Sequence, residues 1–173
     1  MIDDDFCSAE RNPMTVSELH PAEALFLRCF RSWVLGIVSQ DTRHWDQVWN
    51  TIGVSFPADD RAQVMSHFIE MIRSLELHGR RVIHHHQPDC PCVGPDELKV
   101  LTLLAACQNR RPHLARNIAQ ELVGDGGQNP LFAASITLAQ LFEKCGLAMP
   151  VRDDWGTLQY SGGNVFYDRP TIH

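Results

Sequence analysis

Apolar residues recur at three- and four-residue steps along most of the chain, which is the spacing of residues that share one face of an α-helix. The first such segment predicts a helix from Pro21 to Ser39. Pro21 suits the first turn, because a proline there loses no helical hydrogen bond. One wide apolar stripe runs along the face of this helix. It consists of Leu25, Phe26, Cys29, Phe30, Trp33, Val34, Ile37 and Val38.

Five further helices are predicted, most of them bounded by residues that favour a helix start or end. The second helix starts after Asp41 as its N-cap and meets a break at Gly53 and Pro57, and the third runs from Pro57 or Ala58 to Leu77. The fourth starts at Pro95. The fifth starts at Pro112 and is closed by Gly124, and the sixth starts at Asn129-Pro130 and runs to Gly146. The helix that starts at Pro95 is apolar almost all round. That pattern is typical of a central, buried helix.

The helix pattern predicts an all-α fold, a single-domain array or bundle of five to six helices. The predicted organisation is a flexible N-terminal arm at 1–14 and a helical domain at 15–146, which contains a loop at 79–94. A C-terminal tail at 147–173 completes the chain.

The tail is expected to be non-helical or to form a small hairpin. Two short apolar runs, 158–160 and 165–167, flank the turn-rich segment 161–164, which favours a hairpin. We expect Trp155 and Phe166 to pack the tail on the helical domain.

Composition narrows the class of protein. The chain has 173 residues, of which 44% are hydrophobic, enough for one domain with a real core. It contains no run of about 20 apolar residues that could span a membrane. The net charge of −6 argues against nucleic-acid binding, since such binding relies on a basic surface.

The N-terminal residues and the cysteines indicate the cellular location and the redox state of the thiols. The first five residues carry three aspartates, whereas a secretory signal starts basic and then becomes apolar, so a cytoplasmic location is expected. Thiols stay reduced there, and the scatter of Cys7, Cys29, Cys107 and Cys145 also favours reduced cysteines. The last three are expected to be small buried thiols.

One segment concentrates metal-binding side chains. His84, His85, His86, Cys90 and Cys92 lie within nine consecutive positions. Zinc prefers imidazole nitrogen and thiolate sulfur, usually four donors at the corners of a tetrahedron. In an extended segment, residues two apart point the same way, which pairs His84 with His86 and Cys90 with Cys92. The sequence therefore predicts a zinc site formed by these two pairs.

The cysteine spacing differs from familiar zinc motifs. One residue separates Cys90 from Cys92, where two to four are usual, so one of the four ligands can come from elsewhere. The substitutes are His85 in the loop, His78 at the end of the third helix and His113 at the start of the fifth. These features predict a zinc-binding regulatory or accessory protein. The alternative is a helical protein–protein interaction module without metal, whose loop is merely solvated.

Two other chemistries remain open to Cys90 and Cys92. Cys92 lies just before a helix N-terminus, which favours its thiolate, and a disulfide between the two cysteines would close a small, strained ring suited to a redox sensor. Cys90-Pro91 is also the dipeptide of haem-responsive regulators, in which a thiolate binds iron. Haem or iron is therefore the alternative cofactor to zinc.

Nothing in the sequence predicts an enzyme. No nucleophile-elbow, zinc-protease or P-loop motif occurs, and the glycine-rich segment 124–127 follows a predicted helix where phosphate loops follow a strand. A protein partner or self-association is expected instead. Trp33, Trp45 and Trp49 could furnish a dimer face, or all three could belong to the core.

Overall fold

The computed structural model describes residues 14–151, and its helices confirm the all-α fold. Across that range the structure contains six α-helices and no strand. The helices are α1 (Pro21–Ser39), α2 (Arg43–Ser55), α3 (Ala58–His78), α4 (Pro95–Gln108), α5 (Pro112–Leu122) and α6 (Gln128–Lys144), and a 3-10 turn, Val16–Glu18, precedes them. No helix in this part of the chain is long and apolar enough to cross a membrane.

Helix starts follow from local capping. The backbone N–H of His20 donates to the Glu23 carboxylate at 2.7 Å, and the N–H of Gly94 donates to Glu97 at 2.9 Å. In both cases a glutamate at the third helical position satisfies an amide that the helix itself leaves unpaired. Pro21 and Pro95 occupy the first position of their helices, as predicted.

The second helix differs from its prediction at both ends. Its N-cap is Thr42, one residue later than predicted. Asp41 instead accepts a hydrogen bond from the Arg43 amide at 3.0 Å. Gly53 does not break the helix, which continues to Ser55. A single glycine costs about 1 kcal/mol of helix stability. This cost is too small to end a helix whose residues before and after the glycine are well packed.

The fourth helix is central, as its all-round apolar pattern predicted. It packs against α1, α5 and α6, and ten of its 14 residues are buried. Helix α3 packs against α6 and α2, which in turn packs against α1. The core is therefore one continuous cluster that reaches every helix.

Two of the three tryptophans in α1 and α2 form the contact between these helices. The Trp33 and Trp45 rings lie 5.7 Å apart, and Trp33 also meets Phe68 of α3 edge-on at 5.8 Å. Trp45 closes against the backbone of Gly36, where no side chain intervenes. Trp49 is half exposed, at 50%.

The ends of α3 and α5 meet, so the fifth helix stops at Leu122 rather than at Gly124. Leu122 O accepts a hydrogen bond from Arg80 N at 3.1 Å, and His78 O accepts one from Gly124 N at 2.8 Å. An antiparallel bridge joins Gly79 to Val123. These pairings replace helical hydrogen bonds that α5 would otherwise make.

The start of the predicted C-terminal tail is fixed to the centre of the fold. The Gln108 side chain donates to Leu147 O at 3.0 Å and accepts from Met149 N at 2.6 Å. Trp155, Phe166 and the predicted hairpin lie outside the described residues.

Candidate functional site

The histidine and cysteine loop at 79–94 connects α3 to α4 and ends against two buried acids. Asp96 and Glu97 lie in the first turn of α4, where the positive end of the helix dipole favours carboxylates. Both side chains turn toward the loop and accept hydrogen bonds from it. The loop is therefore anchored to the start of α4 through Asp96 and Glu97.

A buried ion pair lies between the start of α4 and helix α1. The Arg31 guanidinium, on α1, donates from Nε to Glu97 Oε1 and from Nη2 to Glu97 Oε2, both at 2.7 Å. Arg31 is 1% exposed and Glu97 is fully buried. Charges so deeply buried need their remaining donors and acceptors satisfied, or desolvation outweighs their attraction.

The loop backbone supplies the missing partners of the pair. Arg31 donates to the carbonyl oxygens of Cys90 at 2.7 Å and Cys92 at 2.5 Å, with a longer contact of 3.4 Å to Gln87 O. Glu97 Oε1 also accepts the His86 amide at 3.0 Å. One ion pair thus holds the main chain at three of the predicted ligand positions.

A second, more exposed pair holds the earlier part of the loop. Arg81 donates to both oxygens of Asp96, and one of these oxygens also accepts the His84 amide at 2.9 Å. Asp96 is buried, whereas about half of the Arg81 side chain is exposed. Successive acids of α4 therefore anchor His84 and His86.

The chain before α1 runs antiparallel to the cysteine end of the loop. Val16 N donates to Pro91 O at 2.7 Å, and Val93 N donates to Met14 O at 2.8 Å. A bridge between Thr15 and Cys92 lies between these two hydrogen bonds. Met14, the last residue of the predicted flexible arm, is therefore hydrogen-bonded to the loop, and the rest of that arm lies outside the described residues.

The two histidines of the predicted site do not share an environment, contrary to the expectation from an extended backbone. His84 is exposed, whereas His86 is 8% exposed. The His86 ring lies over Gly94, where a Cβ atom would come within 3.3 Å of Nε2. The loop backbone bends around the start of α4. Buried and exposed side chains therefore do not alternate along it as they would in an extended strand.

Burial sets the protonation preference of His86. Desolvation lowers its pKa, Glu97 opposes the shift, and Arg31 and His85 add to it. The neutral imidazole is thereby favoured, which is the form that binds metal ions.

The two loop cysteines differ in state. Cys92 is buried and takes part in a disulfide, whereas Cys90 is half-buried and takes part in none. The expectation that all cysteines are reduced is wrong at Cys92, and the strained ring between Cys90 and Cys92 is not formed. The main chain at Cys92 forms a bridge with Thr15.

The three substitute ligands lie apart from one another. His85 points Nδ1 at His86 O, 3.2 Å away. His78 packs against the connection between α5 and α6, beside Gly126 and Gly127. His113 is exposed at the start of α5. Within residues 14–151, no three His, Cys, Asp or Glu side chains are grouped closely enough to hold a metal ion.

Sequence reasoning missed the residues that build the loop. Arg31 was hidden in the apolar stripe of α1, although a charged residue between Phe30 and Ser32 on a buried helix was a usable signal. Asp96 and Glu97 fit the ordinary pattern of acids in the first turn of a helix, and that pattern does not indicate their second role as acceptors for the loop.

Comparison of the chain with protein-family models, curated proteins and solved structures finds no match.

Proposed function

We propose that the chain is a zinc-binding regulatory or accessory protein, with His86, Cys90 and Cys92 as loop ligands. One observation supports this proposal above the others. The main chain at all three residues is anchored to the same buried pair, Arg31 and Glu97. The three side chains do not surround one point in this structure and must turn to bind a metal. Their main chain is already ordered, so less backbone entropy is lost on binding.

The donor chemistry also favours zinc. A neutral imidazole and thiolates are the ligands that borderline metals prefer over magnesium or calcium. Cys92 must be reduced to take part, so the proposal suits a reducing compartment such as the cytoplasm. A fourth donor is still required, and His84 is the sequence-predicted candidate within the loop.

Zinc would link the loop to the start of α4 and strengthen the junction between α3 and α4. Most of the helical core comes from the helices, and the loop contributes Val93 to the buried cluster. A metal-dependent change confined to one surface loop fits regulation better than catalysis.

The test is the zinc content of reduced protein, purified without chelator or affinity tag. The parent is expected to bind about one zinc per chain, the usual stoichiometry of a four-ligand site. The double variant Cys90→Ser, Cys92→Ser is expected to retain only a trace, since it lacks both thiolates. Elemental analysis measures the metal, and circular dichroism checks that helix content is unchanged.

A matched control is Cys145→Ser, which removes a half-buried thiol at the end of α6, away from the loop. It should bind zinc like the parent. Absence of zinc from the reduced parent would contradict the proposal and favour the interaction module. Unchanged zinc in the double variant would show that the loop cysteines are not ligands.

A further inference from the structure

A cleft of about 380 Å³ lies beside the loop, bounded by α1, α2 and a tight turn of the loop itself. The turn runs from Gln87 to Cys90, whose amide donates to Gln87 O at 3.0 Å, and its central residues, Pro88 and Asp89, form one wall of the cleft. Arg31 donates to the carbonyl oxygens at both ends of this turn, at 3.4 Å and 2.7 Å. The wall is therefore held in place by the protein, and the volume falls in the range of small-molecule sites, roughly 300–1,000 Å³.

The bottom of the cleft contains a buried hydroxyl without a protein partner. Ser32 of α1 is 5% exposed, and its side chain makes no hydrogen bond to any residue that the structure describes. Three other serines, Ser39, Ser74 and Ser135, donate to the carbonyl four residues earlier in their helices, and Ser32 does not. Buried polar groups are nearly always hydrogen-bonded. A buried hydroxyl that lines a cleft and has no such bond therefore indicates a position for a polar ligand atom.

Two opposite charges line the same cleft and do not pair with each other. Arg28 lies one helical turn before Ser32 on α1, and Asp89 lies on the turn of the loop. Within residues 14–151, neither side chain makes an ion pair or a hydrogen bond. A guanidinium binds a carboxylate through two parallel hydrogen bonds, and a carboxylate accepts hydrogen bonds from an ammonium group. A ligand that carries both groups would therefore satisfy both side chains.

The rest of the lining is largely polar and uncharged. Gln47 lies three and four residues before Asn50 and Thr51, so the three share one face of α2. Amide side chains both donate and accept hydrogen bonds. The Cys29 thiol at the bottom of the cleft adds no charge, because burial raises its pKa to about 12. This lining favours a ligand whose remaining part is polar and uncharged.

We propose that the cleft binds a free α-amino acid with an uncharged polar side chain. The carboxylate of the amino acid pairs with Arg28 and its ammonium group with Asp89. Its side chain reaches the Ser32 hydroxyl and the amides of Gln47 and Asn50. The residues that line the cleft are not the proposed zinc ligands, so this inference goes beyond the proposed function and does not rest on it.

Binding is tested by titrating protein freed of metal with L-serine, L-threonine, L-asparagine and L-glutamine in turn, followed by amide NMR spectra of labelled protein. At least one of the four is expected to bind with a Kd of about 1 mM or tighter and to shift the signals of residues 28–32, 47–51 and 87–90. The N-acetyl and carboxamide derivatives of that amino acid each lack one charge. Both are expected to bind at least about tenfold more weakly, because each loses a charge-assisted hydrogen bond.

Variants assign the roles of the side chains. Arg28→Met and Asp89→Asn change exposed residues, and each is expected to weaken binding at least about tenfold. Ser32→Ala is expected to weaken binding about fivefold, the effect of one neutral hydrogen bond. Without amino acid, its Tm should equal or exceed that of the parent, since the hydroxyl has no partner to lose among the described residues. Arg73→Met, which changes an exposed arginine of α3, is the control and should bind like the parent.

The outcomes decide the inference without reference to zinc. Absence of shifts with all four amino acids at about 10 mM would overturn it, because even a Kd of 1 mM gives near-saturation there. Equal binding by the parent, Arg28→Met and Asp89→Asn would place the ligand elsewhere and would also overturn it. Failure of the zinc test would leave these measurements unchanged, since the titration uses protein without metal.

Discussion

At the scale of single residues, Arg31 shows why the chemical form of a charge matters. Its planar guanidinium donates to both oxygens of Glu97 and to the carbonyls of two cysteines, all from one side chain. A lysine has a single ammonium group and cannot reach four acceptors spread in this way. The loop conformation therefore depends on arginine specifically.

Replacing Arg31 should be costly. The variant Arg31→Met leaves a buried carboxylate and two carbonyls without their donor, and we expect a loss of about 3–5 kcal/mol in the free energy of unfolding. Arg31→Lys should also destabilise, since it keeps the charge but not the geometry. Urea unfolding followed by circular dichroism measures both.

Arg43→Met is the control for loss of an arginine. It removes an exposed ion pair with Asp41, and its urea midpoint should match that of the parent. A midpoint for Arg31→Met that also matched the parent would mean that the buried pair does not hold the loop in solution.

Cys29 and Cys107 should react very slowly with alkylating agents in the folded chain. Burial raises the pKa of the Cys29 and Cys107 thiols from 9.0 to about 12. Because the thiolate is the reactive form, alkylation at pH 8 should be about a thousandfold slower than for a thiol of ordinary pKa. Mass spectrometry after timed exposure to iodoacetamide follows each site.

The same experiment in urea supplies the comparison, because both thiols should react at the ordinary rate once burial is lost. Raising the pH from 7 to 9 should leave both sites protonated in the folded protein. Rapid labelling of either cysteine at pH 8 would show that the helix around it opens.

At the scale of elements, the contact between α1 and α2 depends on the absence of a side chain at Gly36. A Cβ atom there would lie 2.5 Å from Trp45 Nε1, closer than atoms can approach. The indole cannot easily retreat, because it packs on Trp33 and its N–H donates to Trp33 O at 3.3 Å. The glycine thus sets the spacing of the two helices.

Two glycines of this pair of helices should respond in opposite ways to the same substitution. Gly36→Ala should destabilise the protein by about 1–3 kcal/mol through overpacking. Gly53→Ala meets no atom within 4 Å and should stabilise it by about 0.5–1 kcal/mol, because alanine favours the helix. Thermal unfolding of both variants provides the measurement, and a gain in stability for Gly36→Ala would refute this account of the interface.

The elements were predictable to the extent that their signals are local. Helix α1 has the predicted bounds, from Pro21 to Ser39, since periodicity and a proline at the start are both read from neighbouring residues. The extension of α2 past Gly53 was not predictable, because packing outweighed the propensity of one residue. The separation of His84 from His86 depends on acids of the next helix, which an alternating pattern does not include.

At the scale of the whole molecule, the candidate site combines parts that are distant in sequence. Its donors were found from their clustering, but the ion pair that orders them joins residues 66 positions apart. No spacing rule connects such positions. The bridge between Thr15 and Cys92 was missed for the same reason, because it joins the loop to the segment before α1.

The distance between Arg31 and Glu97 along the chain has a consequence during synthesis. The loop leaves the ribosome before residue 97 does, so the nascent loop lacks its anchor until α4 has emerged and packed on α1. Local helices form within about a microsecond, whereas a contact across 66 residues must wait for the chain to close. Any ligand that needs the ordered loop can therefore bind only to a chain that has been made through α4 and folded.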